Sequence, residues 1–364
     1  MNEKWIALLG RGDKPTDAVE DYCRYLGEAL GEHGIELRLE RVEWNADGWP
    51  AALRELQQRA AAWRDRWILV QYTALAWSAR GFSRRFVQVL RTLDSAGARV
   101  GVVFHDVEPY SGERVIDKLR RRVQIRTMRN ALELADAAIF TVPPEKISWK
   151  PRQLAKAGFI PVSANLPVTS EHGPRATAET RKALTVAVFG ITGGATGERE
   201  TREIVGAVRY AAQRVGAFRL AIFGRHAEER EVALREGLRD VQVEVSVEGV
   251  LDGRQVVEKL RASDALLFVR GGISTRRSSA IAGIACGLPV IARAGSETAA
   301  PITEAGVALY SEEKEKDLGA VLVRVLADAD YRSMLAEKSR RTYEEHFSWS
   351  AIAKKYADAL RPGP

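Results

Sequence analysis

Short unbroken apolar runs alternate along the chain with longer stretches in which apolar residues recur every three or four positions. The unbroken runs are the mark of strands buried on both faces of a parallel sheet, and the helical recurrence marks amphipathic helices. Strands are accordingly predicted at 5–9, 67–72, 99–104, 137–142 and 159–168, and 36–44 alternates like a more exposed strand. After a polar interval they resume at 184–189, 218–223, 241–247, 265–269, 290–292 and 307–310. Helices are predicted between them: one following Pro15 with Thr16 as its cap, then 50–64, 83–96, 113–135, 199–214, 227–237 and 253–262. Further helices are expected from Ser274 or Thr275 to Cys286, then at 297–304, 313–327, 330–345 and 350–360.

Residues 169–183 are polar and carry no strand or core signal, so they read as a linker. Each of the two strand–helix runs around it opens with a strand and a glycine loop. The expected fold class is therefore α/β, with two Rossmann-like doubly wound domains, 1–168 and 184–346.

One stretch concentrates candidate chemistry. Residues 264–302 read as strand, Gly271-Gly272 loop, helix and strand, the helix being stopped by Gly287 and Pro289. The loop lies at the carboxyl end of a buried parallel strand, where open α/β sheets bind ligands. The first helical turn holds Arg276 and Arg277 and no acid, opposite to what the helix dipole favours. Two readings follow. Either both arginines point into solvent, or they join Gly272, Ser274, Thr275, Ser278 and the free backbone N–H groups in holding a diphosphate.

Three further loops are candidates. Gly190 to Gly197 has four glycines in eight residues but no Gly-Lys-Ser/Thr, which excludes a nucleoside-triphosphatase loop. Gly190, Thr192 and Gly194 would bring backbone to a ligand, with Arg199 just beyond as a cation. Gly10-Arg11-Gly12 departs from the dinucleotide fingerprint because Pro15 stands where the third glycine belongs. His105-Asp106 ends an inner strand, where a neutral histidine can bind a substrate hydroxyl; the alternative is a packed histidine beside a capping aspartate. The remaining histidines have no partner at ligand spacing, so no metal site is expected, and Asp328-Ala329-Asp330 between two late helices reads as a cap.

Composition narrows the class. At 364 residues, 28% charged and 46% hydrophobic, the chain is an ordinary globular one of two-domain length. A net charge of +7 favours anionic partners. Nucleic acid is not expected, because no helix-turn-helix, zinc-finger or RNP-type pattern is present. Two cysteines, Cys23 and Cys286, both in helical apolar patterns, suit a reduced cytoplasmic protein. The N-terminus reads as no signal peptide, and no apolar run reaches the roughly 20 residues that cross a bilayer. Membrane contact would be peripheral, at the inner face, through the basic stretch 114–129. There Arg114, Lys118, Arg120, Arg121, Arg122, Arg126 and Arg129 interleave with Ile116, Leu119, Val123 and Met128; the other reading is a solvated helix face.

The segments Ile-Ala-Gly-Ile-Ala-Cys-Gly-Leu-Pro-Val-Ile-Ala (281–292), Ala-Ser-Asp-Ala-Leu-Leu-Phe-Val (262–269), His105-Asp106 and Phe-Ser-Trp-Ser-Ala-Ile-Ala-Lys-Lys-Tyr (347–356) together resemble the GT-B glycosyltransferases, specifically family 4. The resemblance implies transfer of a sugar from a nucleoside-diphosphate sugar, UDP or GDP, to a sugar, lipid-linked or small-molecule acceptor. It implies retaining, metal-independent catalysis with no further cofactor, and a last helix, 347–364, that returns to the first domain. By position, His105 would lie near the donor sugar, Gly12 near the diphosphate, and the loop from Gly272 to Ser278 around phosphate and sugar. Two glutamates usual in the family are replaced by Ser274 and Ala282, and two cations by Ile191 and Gly197. Arg276 and Arg277 would stand in for those cations. The alternatives on the same fold are a sugar-nucleotide 2-epimerase and a non-catalytic sugar-nucleotide-binding subunit.

Overall fold

The computed structural model describes residues 3–14, 16–151, 154–168, 183–311 and 316–361. The predicted linker therefore lies outside the described residues, apart from position 183. The chain divides into two compact units: 1–162 together with 349–364, and 163–348.

The first unit runs β1 (Glu3–Leu9), α1 (Ala18–Gly31), β2 (Ile35–Arg41), α2 (Trp44–Asp47), α3 (Trp49–Ala60), β3 (Trp67–Tyr72), α4 (Arg85–Ser95), β4 (Arg99–Phe104), α5 (Val115–Leu134), β5 (Ala137–Phe140) and β6 (Ala157–Phe159). The strands form one parallel six-stranded sheet in the order β2-β1-β3-β4-β5-β6. All six residues of β3 are buried, the polar Gln71 included, as suits a central strand. α1 begins one residue later than Thr16 allows, because Asp17 takes the cap and its carboxylate accepts from Val19 N and Glu20 N. The strand expected over 159–168 stops at Phe159. Pro161 and Pro167 lack the N–H that a continuing ladder needs.

The second unit runs β7 (Thr185–Phe189), α6 (Gly194–Val215), β8 (Phe218–Phe223), α7 (Glu231–Leu238), β9 (Val243–Glu248), α8 (Gly253–Arg261), β10 (Ala265–Gly272), α9 (Ser278–Ala285), β11 (Val290–Arg293), β12 (Val307–Tyr310), α10 (Lys316–Ala327) and α11 (Ala329–Thr342). Its parallel sheet has the order β12-β11-β10-β7-β8-β9. No helix forms over 297–304; the segment is a series of turns.

The last helix, α12 (Trp349–Leu360), belongs to the first unit. Ile352, Ala353, Tyr356, Ala357 and Leu360 form its buried stripe at helical spacing. The Tyr22 hydroxyl donates to that of Tyr356 at 3.0 Å, and Trp67 Nε1 donates to the Leu360 carbonyl at 2.7 Å. Trp349 stacks on Tyr25 with ring centres 5.6 Å apart.

Candidate functional site

Each sheet has one place where the chain, having built strands to one side, crosses to build on the other: between β1 and β3 in the first unit, and between β7 and β10 in the second. The carboxyl ends of the strands part there, and ligands of open α/β sheets sit in the opening. The predicted site residues gather at these two points, but in opposite electrostatic settings.

In the first unit a cavity of about 310 Å³ lies at the switch point, lined among others by Gly10, Gly12, Asp13, Gln71, Thr73 and Asp106. Gly12 stands beside the start of α1, which is already occupied by the Asp17 carboxylate. Arg41 clamps the same corner, donating to the Gly10 carbonyl at 2.6 Å, to Asp17 at 3.1 Å and to Glu20 at 2.6 Å. This terminus holds an anion of its own.

His105 and Asp106 follow β4, both backbone N–H groups donating to the Tyr72 carbonyl. The Gln71 amide donates through Nε2 to Leu69 O, which turns its Oε1 toward His105 Nε2 at 2.8 Å. An amide oxygen only accepts, so Nε2 carries the proton and Nδ1 is the ring's acceptor. Burial pushes the His105 pKa down to about 4, with the Asp17 charge opposing it, so the ring is neutral near pH 7. Tyr22 meets the ring edge-on at 5.0 Å. Asp106 accepts from Ala74 N at 2.8 Å, which pins the loop after β3.

In the second unit β7 ends in Gly190, whose φ of 76° only glycine adopts without strain. The predicted glycine loop is shorter than 190–197, because α6 already begins at Gly194. Gly197 lies in that first turn for a packing reason: a Cβ there would stand 1.8 Å from the Thr192 carbonyl. Thr192 donates both N–H and hydroxyl to the buried Glu200 carboxylate, at 2.7 and 2.8 Å, so its polar groups shape the loop. The N-terminus of α6 has no side-chain cap and no acid in its first turn. Arg230 donates to Gly194 O at 2.9 Å. Arg199 is mostly exposed and stands 3.9 Å from Glu203.

Arg270, near the end of β10, is the residue the sequence reading passed over. Its Nη1 lies 3.6 Å from where a Cβ on Gly190 would be. Burial lowers its pKa, while Glu200 and Arg225 act on it in opposite senses. The signal was present: a charged residue closing the apolar run Ala-Leu-Leu-Phe-Val before Gly271-Gly272.

The loop from Gly272 to Ser278 differs from expectation. Ser274 and Thr275 are fully buried and cap no helix; they lie in an irregular turn, and α9 begins only at Ser278. Nor is this corner without an acid. Glu297, from the loop after β11, takes a two-pronged bridge from Arg276, Nε to Oε2 at 2.7 Å and Nη2 to Oε1 at 2.8 Å. Ser274 Oγ donates to the same Oε2 at 3.0 Å. Burial works against the charged form of Glu297, yet Arg276, Arg277 and Ser274 hold its carboxyl below its ordinary value. Arg277 extends instead toward Gly271, its Nη2 3.7 Å from a Cβ position there. A carboxylate thus does stand beside position 274, delivered from 23 residues further along the chain.

Among the described residues no group of three His, Cys, Asp or Glu is placed to hold a metal ion, and no helix is long and apolar enough to cross a membrane. No protein-family model matches the sequence, and no curated protein matches it. Solved structures match along nearly its whole length. Anabaena Alr3699/HepE in complex with UDP and glucose is 14% identical, with a TM-score of 0.66 over 99% of each chain. WaaG, a glycosyltransferase involved in lipopolysaccharide biosynthesis, is 16% identical, with a TM-score of 0.66 over 98% of this chain and 100% of its own. A putative UDP-N-acetylglucosamine 2-epimerase from Listeria monocytogenes is 12% identical, with a TM-score of 0.65 over 99% of this chain and 96% of its own. Two Rossmann-like units, each built on a six-stranded parallel sheet, give this chain the GT-B fold.

Proposed function

We propose that the chain is a glycosyltransferase taking its sugar from a nucleoside-diphosphate sugar, with UDP or GDP as the nucleotide, held by the second unit. One observation carries this reading. The helix start at the first unit's switch point is capped by the chain's own Asp17 carboxylate, whereas that of the second has no side-chain cap and no acid in its first turn, with Arg270 at the adjoining strand end. A pyrophosphate suits the second setting and is repelled by the first. The structural likeness to a protein in complex with UDP and glucose supports the same reading.

Catalysis then consists mainly in stabilising the departing diphosphate with prepositioned N–H groups and guanidinium groups, which need no reorganisation as charge develops. The acceptor, a sugar or a lipid-linked or small hydroxyl compound, falls to the first unit. There Asp106 and Gln71 line the cavity, Gln71 being the residue that holds His105 through its Nε2. A retaining, metal-independent reaction remains part of the proposal. So does peripheral attachment to anionic lipid through α5, where Val115, Ile116 and Leu119 are exposed apolar residues flanked by exposed Arg114, Lys118, Arg122 and Arg126.

The test is product analysis with UDP- and GDP-sugars, with and without sugar acceptors. A transferase releases nucleoside diphosphate and forms a new glycosidic bond only with acceptor present. The likeness to a putative 2-epimerase keeps a second reading alive. An epimerase converts the sugar nucleotide alone into its epimer. Neither product overturns both.

A further inference from the structure

Removing a cation from water is costly unless a partner neutralises it, so partly buried arginines normally hold a carboxylate. This chain follows the rule at four places. Arg41 holds Asp17 and Glu20, Arg59 holds Glu40, Arg120 holds Asp117 and Arg276 holds Glu297, with arginine side chains 20, 27, 20 and 20% exposed. Arg270 does not: among the described residues its side chain makes no hydrogen bond and no ion pair, which it shares with the partly exposed Arg11 and Arg121, but of the three it alone stands at the second unit's switch point.

Its surroundings narrow what could pair with it. The guanidinium group stands over Gly190, and only Arg270 lies within 4 Å of where a side chain would project from that glycine. The nearby carboxylate, Glu200, is committed to the N–H and hydroxyl of Thr192. Arg225 adds a second positive charge to the field. The place is the switch point between β7 and β10.

We propose that Arg270 is the cation that grips the pyrophosphate of the nucleotide donor, supplying from the end of β10 the charge missing at Ile191 and Gly197. The assignment rests on the donor reading above. It makes Arg270 a binding residue for the diphosphate and not for the base or ribose.

Calorimetric titration with UDP, GDP, ADP and dTDP, and with the four matching phosphate-free nucleosides, tests it on the wild type, Arg270→Gln and Arg270→Lys. The expected result is a diphosphate affinity roughly 10- to 100-fold weaker in Arg270→Gln, the range for losing a charge-assisted hydrogen bond. Arg270→Lys should lie between that variant and wild type, with nucleoside affinity within about twofold of wild type in both. The melting temperature of ligand-free Arg270→Gln should equal or exceed that of wild type, because the substitution removes an unneutralised charge. Undiminished diphosphate binding by Arg270→Gln, an equal loss for nucleoside and diphosphate, or a lower ligand-free melting temperature in both variants would each overturn the assignment. A wild type that binds none of the four diphosphates removes the donor reading itself. A wild type that binds one of them, indifferently to position 270, removes only this inference.

Discussion

Arg276 and Glu297 are worth most when broken from one side. Each is largely buried, and either left alone would keep a charge that water reaches poorly. Glu297→Ala should cost roughly 2–4 kcal/mol in denaturant unfolding, and Arg276→Met with Glu297→Leu together should recover most of the loss. A double variant as unstable as the sum of its singles would mean the two do not act as a pair. Because the folded carboxyl lies below its ordinary value, the bridge contributes fully above that ordinary value and is lost as pH falls through the folded one. His105 acts earlier on the acid side. Its pKa falls from about 6.5 to about 4 on folding, so between those values the unfolded chain binds the extra proton and stability declines with acid. Nitrogen-15 NMR at pH 5 should show a neutral ring with its proton on Nε2; an imidazolium signal there would contradict the lowering of its pKa by burial, and a proton on Nδ1 the bond to Gln71.

At the scale of elements, α5 carries three exposed large apolar residues, Val115, Ile116 and Leu119, more than any other helix among the described residues, and Val115 is 85% exposed. Val115→Ser with Leu119→Ser should weaken co-sedimentation with phosphatidylglycerol vesicles without altering the melting temperature, and added salt should weaken it for the wild type as well. The basic stretch was readable in the sequence, but its division of labour was not. Arg120 bridges Asp117 and lies against Tyr110, Arg129 reaches the Trp149 carbonyl, and Met128 is core, which leaves Arg114, Lys118, Arg122 and Arg126 facing water. The same boundary holds elsewhere. Unbroken apolar runs such as Trp5–Leu9 announce themselves because both faces of the strand are buried. Contacts such as Arg270 over Gly190 or Glu297 at Ser274 leave no periodicity to read, since they join residues far apart in the chain. The turn from Ser274 to Arg277 carries hydroxyls that resemble helix caps, yet Ser274 donates to Glu297 and α9 begins only at Ser278. The turns over 297–304 hold Pro301, which a helical reading there discounted.

For the whole molecule, the division into units is uneven in sequence. The second unit is one continuous stretch, 163–348, while the first is two, 1–162 and 349–364. A fragment of 163–348 should therefore unfold cooperatively by itself in a calorimeter. Ending the chain at 348 should destabilise the first unit by more than ~5 kcal/mol, because it strips Trp349 from Tyr25, Tyr356 from Tyr22 and the Leu360 carbonyl from Trp67. A truncated chain whose first unit melts as in the full-length protein would show that α12 merely rests on the surface.

That discontinuity has a consequence during synthesis. A nascent chain leaving the ribosome carries every strand of its first sheet long before the helix that seals α1 has been translated. The later-made half can therefore mature ahead of the earlier-made one, with Tyr22 and Trp67 lacking their partners until α12 has been translated. A premature stop codon in the last helix would then strike the part of the protein that was made first.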